Sequence, residues 1–327
     1  MATKIFMDLP GGVKMPAIGL GTWQATNEDE LAKALDTALE IGYRHIDTAF
    51  SYGNELIIGK VLKKWFNSGK LKREDLFITT KLPIFAIKAE KVEELLITSL
   101  KNLGLDYVDL YLIHFPVCLK LNEGEPFRRD LTKYETEVTD HIAVWKKMEE
   151  QVDAGRTKTI GISNFNKRQI DNILKSNPRI KPANLQVELH VYMQQQNLVL
   201  YCLENGITVT GYSPLGSPGM NKFMESFGKP TKPLPDMLHD EKIKQIASKH
   251  KKSNAQIMLR YLIQRNIIVI PKSVSPARLQ ENINIFDFSL DDEDMDTLNS
   301  LEVGVSARVC DCKAFPGLEE NAEWPFE

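Results

Sequence analysis

A short apolar run, a polar break and an amphipathic stretch follow one another repeatedly along the chain. Eight of the runs read as strands: Ile18–Gly21, His45–Thr48, Phe77–Lys81, Leu110–His114, Thr159–Ser163, Asn184–Glu188, Thr208–Tyr212 and Ile267–Pro271. The intervening stretches carry apolar residues at helical spacing: Leu31, Leu35, Ala38 and Ile41; Val92, Leu96, Leu100 and Leu103; Val138, Ile142, Trp145, Met148 and Val152. That spacing puts one apolar stripe on each helix. Asn27 with Glu30 and Ser253 with Gln256 read as N-caps, Ser275 before Pro276 as a further helix start, and Gly206 as the end of the sixth helix. Apolar strands alternating with amphipathic helices require helices over both sheet faces, or around the outside of a closed barrel.

Eight units favour the closed α/β answer, a (β/α)8 TIM barrel preceded by an N-terminal β-hairpin and carrying extended active-site loops. A barrel of about 250 residues plus insertions fits one domain over the 327 residues. The surplus falls at Lys4 to Met15, whose Pro10-Gly11-Gly12 turn suggests the hairpin; at Pro116 to Thr139; at Ser213 to Met237, where Pro214, Gly216, Pro218, Gly219, Gly228, Pro230, Pro233 and Pro235 predict an irregular loop; and in an irregular tail, Ser306 to Glu327. The open alternative, a doubly wound sheet, lacks its usual opening, because Gly19-Leu20-Gly21-Thr22-Trp23-Gln24 has no last glycine. Lys+Arg at 41 against Asp+Glu at 44 leaves a net charge of −3, which gives no global attraction to nucleic acid or anionic membranes. Cys118, Cys202, Cys310 and Cys312 form no paired CxxC groups and suggest no metal site, so a reducing, cytoplasmic compartment is expected. Met1 to Pro10 has no secretory apolar core, and the longest apolar run, Leu198–Leu203, is far too short to span a bilayer.

In a barrel, Asp47, Lys81 and His114 stand at the C-terminal ends of the second, third and fourth strands, with Tyr52 just beyond Asp47. Each alone has an ordinary alternative: Lys81 an exposed strand end, Asp47 a cap, His114 a core histidine, Tyr52 a loop packer. Together they make a specific set at one barrel mouth. A tyrosine holds its proton at neutral pH, an ammonium beside it favours the phenolate left after donation, an aspartate anchors that ammonium, and a histidine can hydrogen-bond a substrate oxygen. Such a set protonates an oxyanion formed when hydride attacks a carbonyl carbon, and it needs a redox cofactor to supply the hydride.

Four stretches carry a resemblance: Gly42-Tyr43-Arg44-His45-Ile46-Asp47-Thr48-Ala49 continuing through Tyr52-Gly53-Asn54-Glu55; Thr80-Lys81-Leu82; Leu103 through His114; and Ile270-Pro271-Lys272-Ser273. On these the chain resembles the aldo-keto reductases over essentially its whole length. The resemblance implies Tyr52 as general acid, Lys81 and Asp47 tuning it, and His114 orienting the carbonyl. It implies NADP(H) as cofactor, with Ser163, Asn164 and Gln186 on the nicotinamide amide, Tyr212 stacked on the ring, and Ser213, Leu215 and Ser217 along the pyrophosphate. Lys272, Ser273, Val274, Arg278, Glu281 and Asn282 match the adenosine end, where Lys272 and Arg278 supply cations for a 2′-phosphate. Trp23, Phe50, His114 and Phe115 fall at substrate-wall positions, with Pro83 near the entrance and the Ala307–Pro325 tail over it. Relatives often carry tryptophan where this chain has Phe115 and another aromatic where it has Pro83, and Gly219 stands near where relatives can carry an acidic latch. The implied activity is NADPH-dependent reduction of aldehydes and ketones with hydrophobic bodies to alcohols by a cytoplasmic monomer. The alternatives are a steroid or terpenoid ketone reductase of the same mechanism, or a nonenzymatic NADP-binding structural or sensor protein.

Overall fold

A short antiparallel hairpin, β1 (Phe6–Asp8) and β2 (Lys14–Pro16), precedes the first barrel strand. The computed structural model describes residues 5–121, 133–312 and 315–326. Lys4 of the expected hairpin, much of the Pro116–Thr139 insertion and part of the tail therefore lie outside the described residues. The barrel strands are β3 (Leu20–Gly21), β4 (His45–Asp47), β5 (Phe77–Leu82) and β6 (Val108–Ile113), then, after a small ladder of β7 (Cys118–Leu119) with β8 (Thr136–Glu137), β9 (Thr157–Ser163), β10 (Asn184–Glu188), β11 (Thr208–Tyr212) and β12 (Ile267–Val269). Barrel neighbours pair parallel in the order β3-β4-β5-β6-β9-β10-β11-β12. The sheet closes on itself: Gly19 N donates to Val269 O at 2.8 Å, and Val269 N to Ala17 O at 3.0 Å. The (β/α)8 barrel expected from the eight repeats is the observed fold.

Helices α1 (Glu28–Ile41), α2 (Glu55–Asn67), α3 (Val92–Leu103), α4 (His141–Asp153), α5 (Lys167–Lys175) and α6 (Gln196–Glu204) each follow a barrel strand. Further along come α7 (Met220–Glu225), α8 (Glu241–His250), α9 (Asn254–Gln264), α10 (Pro276–Ile283) and α11 (Asp292–Asn299). The side chain of Asn27 accepts from Glu30 N at 3.0 Å, which satisfies one of the orphan amides at the start of α1. Gly42 ends that helix in the left-handed region at φ 107°, a backbone that side chains other than glycine's resist. Ser253 and Gln256 form the expected reciprocal cap of α9.

Three expectations need correction. The fourth helix starts at His141, capped by Asp140, and Val138 lies outside it, 98% exposed. The segment after β11 is not wholly irregular, since it holds α7 and reaches a 3-10 turn at Met237–His239. The first expected strand is laddered over Leu20–Gly21, with Ile18 bridged singly to Val269 at the closure.

Polarity changes along the barrel axis. Leu9 and Met15 of the hairpin join Phe77, Leu110, Leu112, Ala183 and Ile268 in one apolar cluster, so the hairpin plugs one end of the barrel. Alternate residues of a strand share a face, and on β5 the succession is Phe77, Thr79, Lys81, from apolar plug to buried charge. No described helix is long and apolar enough to cross a membrane.

Candidate active site

Lys81 is fully buried near the C-terminal end of β5, and its three ammonium protons face three acceptors. Its Nζ lies 2.6 Å from Asp47 Oδ1, 2.8 Å from Thr48 O and 3.3 Å from the Tyr52 hydroxyl. The parallel register sets Asp47 beside Thr79, so Lys81, two residues further on the same face, reaches back over the end of β4. Tyr52 closes a 3-10 turn, Phe50–Tyr52, that ends at left-handed Gly53. Its ring meets His114 edge-on, with centroids 5.6 Å apart. Since the Tyr52 oxygen accepts from the ammonium, its own proton is left for a group in the cavity.

Burial decides the protonation states, with charges second. It pushes the Lys81 ammonium down, and Asp47 acts against that by charge and hydrogen bond. Burial pushes the Tyr52 phenol well above its ordinary value, helped by Asp47 and by the nearby Cys310. Burial, then Lys81, holds His114 well below the ordinary imidazole value. Tyr52 therefore keeps its proton and His114 is a neutral imidazole, a donor without charge.

A polar network continues around the mouth. Gln186 Nε2 donates to Asp47 Oδ2 at 2.7 Å. Ser163 Oγ donates to Gln186 O at 2.8 Å, Asn164 Nδ2 to His114 O at 3.0 Å, and the Tyr212 hydroxyl to Asn164 Oδ1 at 2.7 Å. Asn164 has a left-handed backbone at φ 64°, a strain that asparagine tolerates better than most residues.

These groups border a cavity of about 600 Å3 that continues to Ser213, Leu215 and Ser217 and on to Lys272, Ser273, Arg278, Glu281 and Asn282. Asp47, Tyr52, His114, Trp23, Phe115, Ser163, Asn164, Gln186 and Tyr212 also line it. Lys81 is not among the lining residues and lies behind the wall, in contact with Asp47 and Tyr52. Phe50 packs on Phe85, with centroids 6.1 Å apart, and is not among the lining residues. Pro83 and Val274 are not among them either; Ile84, next to Pro83, is. Lining residues that escaped the sequence reading include Ile84, Phe223, Phe315, Cys310 and Cys312. Phe223 of α7 meets Trp23 edge-on at 5.1 Å. The available signal was the tail itself, which was expected to cover the entrance without any residue of it being assigned a wall position.

A model of the aldo/keto reductase family matches residues 17–303. The chain belongs to the aldo/keto reductase family. It is 44% identical over 303 residues to aldo-keto reductase family 1 member A1 of Xenopus tropicalis, covering 92% of this chain and 90% of that protein. It is 41% identical over 303 residues to the NAD(P)H-dependent D-xylose reductase I,II of Candida tropicalis, covering 91% and 92%. Among solved structures, the aldose reductase from Schistosoma japonicum superposes with a TM-score of 0.88 at 42% identity, covering 99% of each chain. Aldo/keto reductases are oxidoreductases that use nicotinamide cofactors and act on small carbonyl compounds, and this chain is one of them.

Proposed function

We propose that the protein reduces aldehydes and ketones with hydrophobic bodies to alcohols, with NADPH as the preferred cofactor, through Tyr52, Lys81, Asp47 and His114. The observation that carries this reading is the 3.3 Å contact between the buried Lys81 ammonium and the Tyr52 hydroxyl at the wall of a cavity. The residues present fit a nicotinamide dinucleotide. Tyr212 lines the cavity beside Asn164, and Lys272 and Arg278, which form no ion pair among the described residues, add cations to its lining. Ser273 and the start of α10 lie beside those cations, a favourable setting for the extra phosphate of NADPH. When bound, the cofactor supplies the hydride.

The chain's own residues do the rest. His114 donates a hydrogen bond to the carbonyl oxygen and turns it toward Tyr52. Tyr52 gives its proton to that oxygen as negative charge develops there, and the Lys81 ammonium stabilises the phenolate that remains. Asp47, held by Gln186, keeps the ammonium in place. Trp23, Phe115, Phe223 and Ile84 keep water from the reacting centre and favour apolar bodies, of which medium-chain and aromatic aldehydes are the first to test. The four unpaired cysteines suit a reducing cytoplasm, and a monomer suffices for a cavity built from one chain.

Tyr52→Phe tests the assignment. Fluorescence titration should give unchanged NADPH affinity, while carbonyl reduction falls by about 10²- to 10⁴-fold, the usual worth of a general acid. Normal turnover by that variant would remove Tyr52 from its role. Binding of NADPH without its consumption by the unaltered protein, across a broad panel of carbonyls, would favour a nonenzymatic protein.

A further inference from the structure

We propose that Glu188 is the positioning residue that sets the substrate-side wall of the cavity, by gripping the C-terminal tail from inside the barrel mouth. The inference rests on the reading of this cavity as a carbonyl-reducing site. Residues 184, 186 and 188 share one face of β10, and all three are buried and polar. Asn184 bonds Thr208 and Thr210 of the neighbouring strand, and Gln186 bonds Asp47. Glu188, highest of the three, takes no part in the chemistry. Its carboxylate accepts from two successive amides of the tail, Val309 N at 2.6 Å to Oε1 and Cys310 N at 2.8 Å to Oε2, with His190 Nε2 at 3.1 Å from Oε1.

A fully buried carboxylate is costly unless hydrogen-bonded, so those two amides and the carboxylate hold each other in one arrangement. From Arg308 to Cys312 the tail has no helix or strand that would place it otherwise. The grip puts Cys310 and Cys312 in the cavity wall and brings the Cys310 thiol within 3.5 Å of Ser213 Oγ. The tail has further anchors, among them Tyr134 N on Pro316 O, Gln169 Nε2 on Glu323 O and Asn321 Nδ2 on Thr136 Oγ1, and its ion pairs, such as Lys232 on Asp311 and Arg168 on Glu323, are partly exposed. Such pairs hold weakly compared with charge-assisted bonds kept from water. Glu188 thus governs which substrate bodies fit, and leaves the proton transfer at Tyr52 to the catalytic set.

The test uses Glu188→Gln in the full chain, which keeps the shape but turns one amide acceptor into a donor. Hydrogen exchange at the Val309 and Cys310 amides should rise at least about tenfold. KM for a bulky aromatic aldehyde should change at least about fivefold, while kcat for propanal and the NADPH affinity stay within about twofold. As a second arm, a chain ending at residue 306 should show the same altered preference, and Glu188→Gln in that background should add nothing. Unchanged exchange, an equal fall of kcat for both aldehydes, or a further shift in the shortened chain would each overturn the proposal. Absence of carbonyl reduction by the unaltered protein would instead defeat the reading of the site, while the exchange result would still report on the grip.

Discussion

Replacing Lys81 by methionine separates what the buried ammonium does for the fold from what it does for the reaction. Lys81 Nζ is 2.6 Å from Asp47 Oδ1, and the two side chains are 0% and 2% exposed. Lys81→Met leaves Asp47 its 2.7 Å bond from Gln186 but strips the partner from Oδ1. Removing one member of a buried ion pair costs about 3–5 kcal/mol, to be read from urea midpoints at neutral pH. For the proposed reaction, the ammonium lies 3.3 Å from the Tyr52 oxygen, where the phenolate would develop. At an effective dielectric constant of about 20 that attraction is about 5 kcal/mol, which bounds the rate loss at roughly 10³- to 10⁴-fold. The double variant Asp47→Asn/Lys81→Met removes both charges and should regain most of the stability but none of the rate. Single-turnover kinetics with bound NADPH supply the rate. Retention of the rate within tenfold by Lys81→Met, or its recovery in the double variant, would refute the assigned role of the ammonium.

Burial lowers His45 to about 4 from an ordinary value of 6.5, so between those values the unfolded chain binds a proton that the native state refuses. Stability should therefore fall by about 3 kcal/mol as pH drops from about 6.5 to about 4; urea midpoints across this window should slope less for His45→Gln, and equal slopes would count against it. A Cβ on Gly19 would stand 2.4 Å from His45 Nδ1, so Gly19→Ala should cost about 1–3 kcal/mol by overpacking, seen as a lower thermal midpoint; an unchanged midpoint would mean the ring can move aside. Lys272→Met should weaken NADPH binding by roughly 10- to 100-fold, the worth of one charged hydrogen bond, and leave NADH nearly unaffected. Equal losses for both cofactors in fluorescence titrations would place the 2′-phosphate elsewhere.

The barrel was legible because its strands are largely buried on both faces and most read as short apolar-rich runs; Phe77–Leu82 is buried throughout even though Thr79, Thr80 and Lys81 are polar. The proposed catalytic set was legible for a related reason: Asp47, Lys81 and His114 are polar residues at or just beyond the C-terminal ends of strands, where the barrel gathers strand ends. Phe50 was harder, since its direction depends on the 3-10 turn it shares with Tyr52, and that turn sends it toward Phe85. Phe223 and Phe315 sit outside the barrel strands, where nothing periodic says which way an aromatic points. Glu188 was visible as the end of a strand, but its partners are tail amides 121 and 122 residues away, and no local pattern announces them.

That contrast follows from how the two halves of the site are held. Asp47 and Lys81 owe their positions to continuous parallel ladders, with Asp47 level with Thr79 and Lys81 level with Leu112, and His114 N still bonds Leu82 O just beyond the last laddered pair. A substitution elsewhere moves them only by breaking the barrel. Phe115 and the tail owe their positions to side chains: Trp324 and Phe326 back Phe115 with centroids 6.0 and 5.7 Å away, and Glu188 holds Val309 and Cys310. Losing one of those contacts re-forms the wall without disturbing the ladders. On the proposed reading, the chain can therefore change the body of the carbonyl it accepts through a few tail contacts while the proposed proton donor stays where the register puts it.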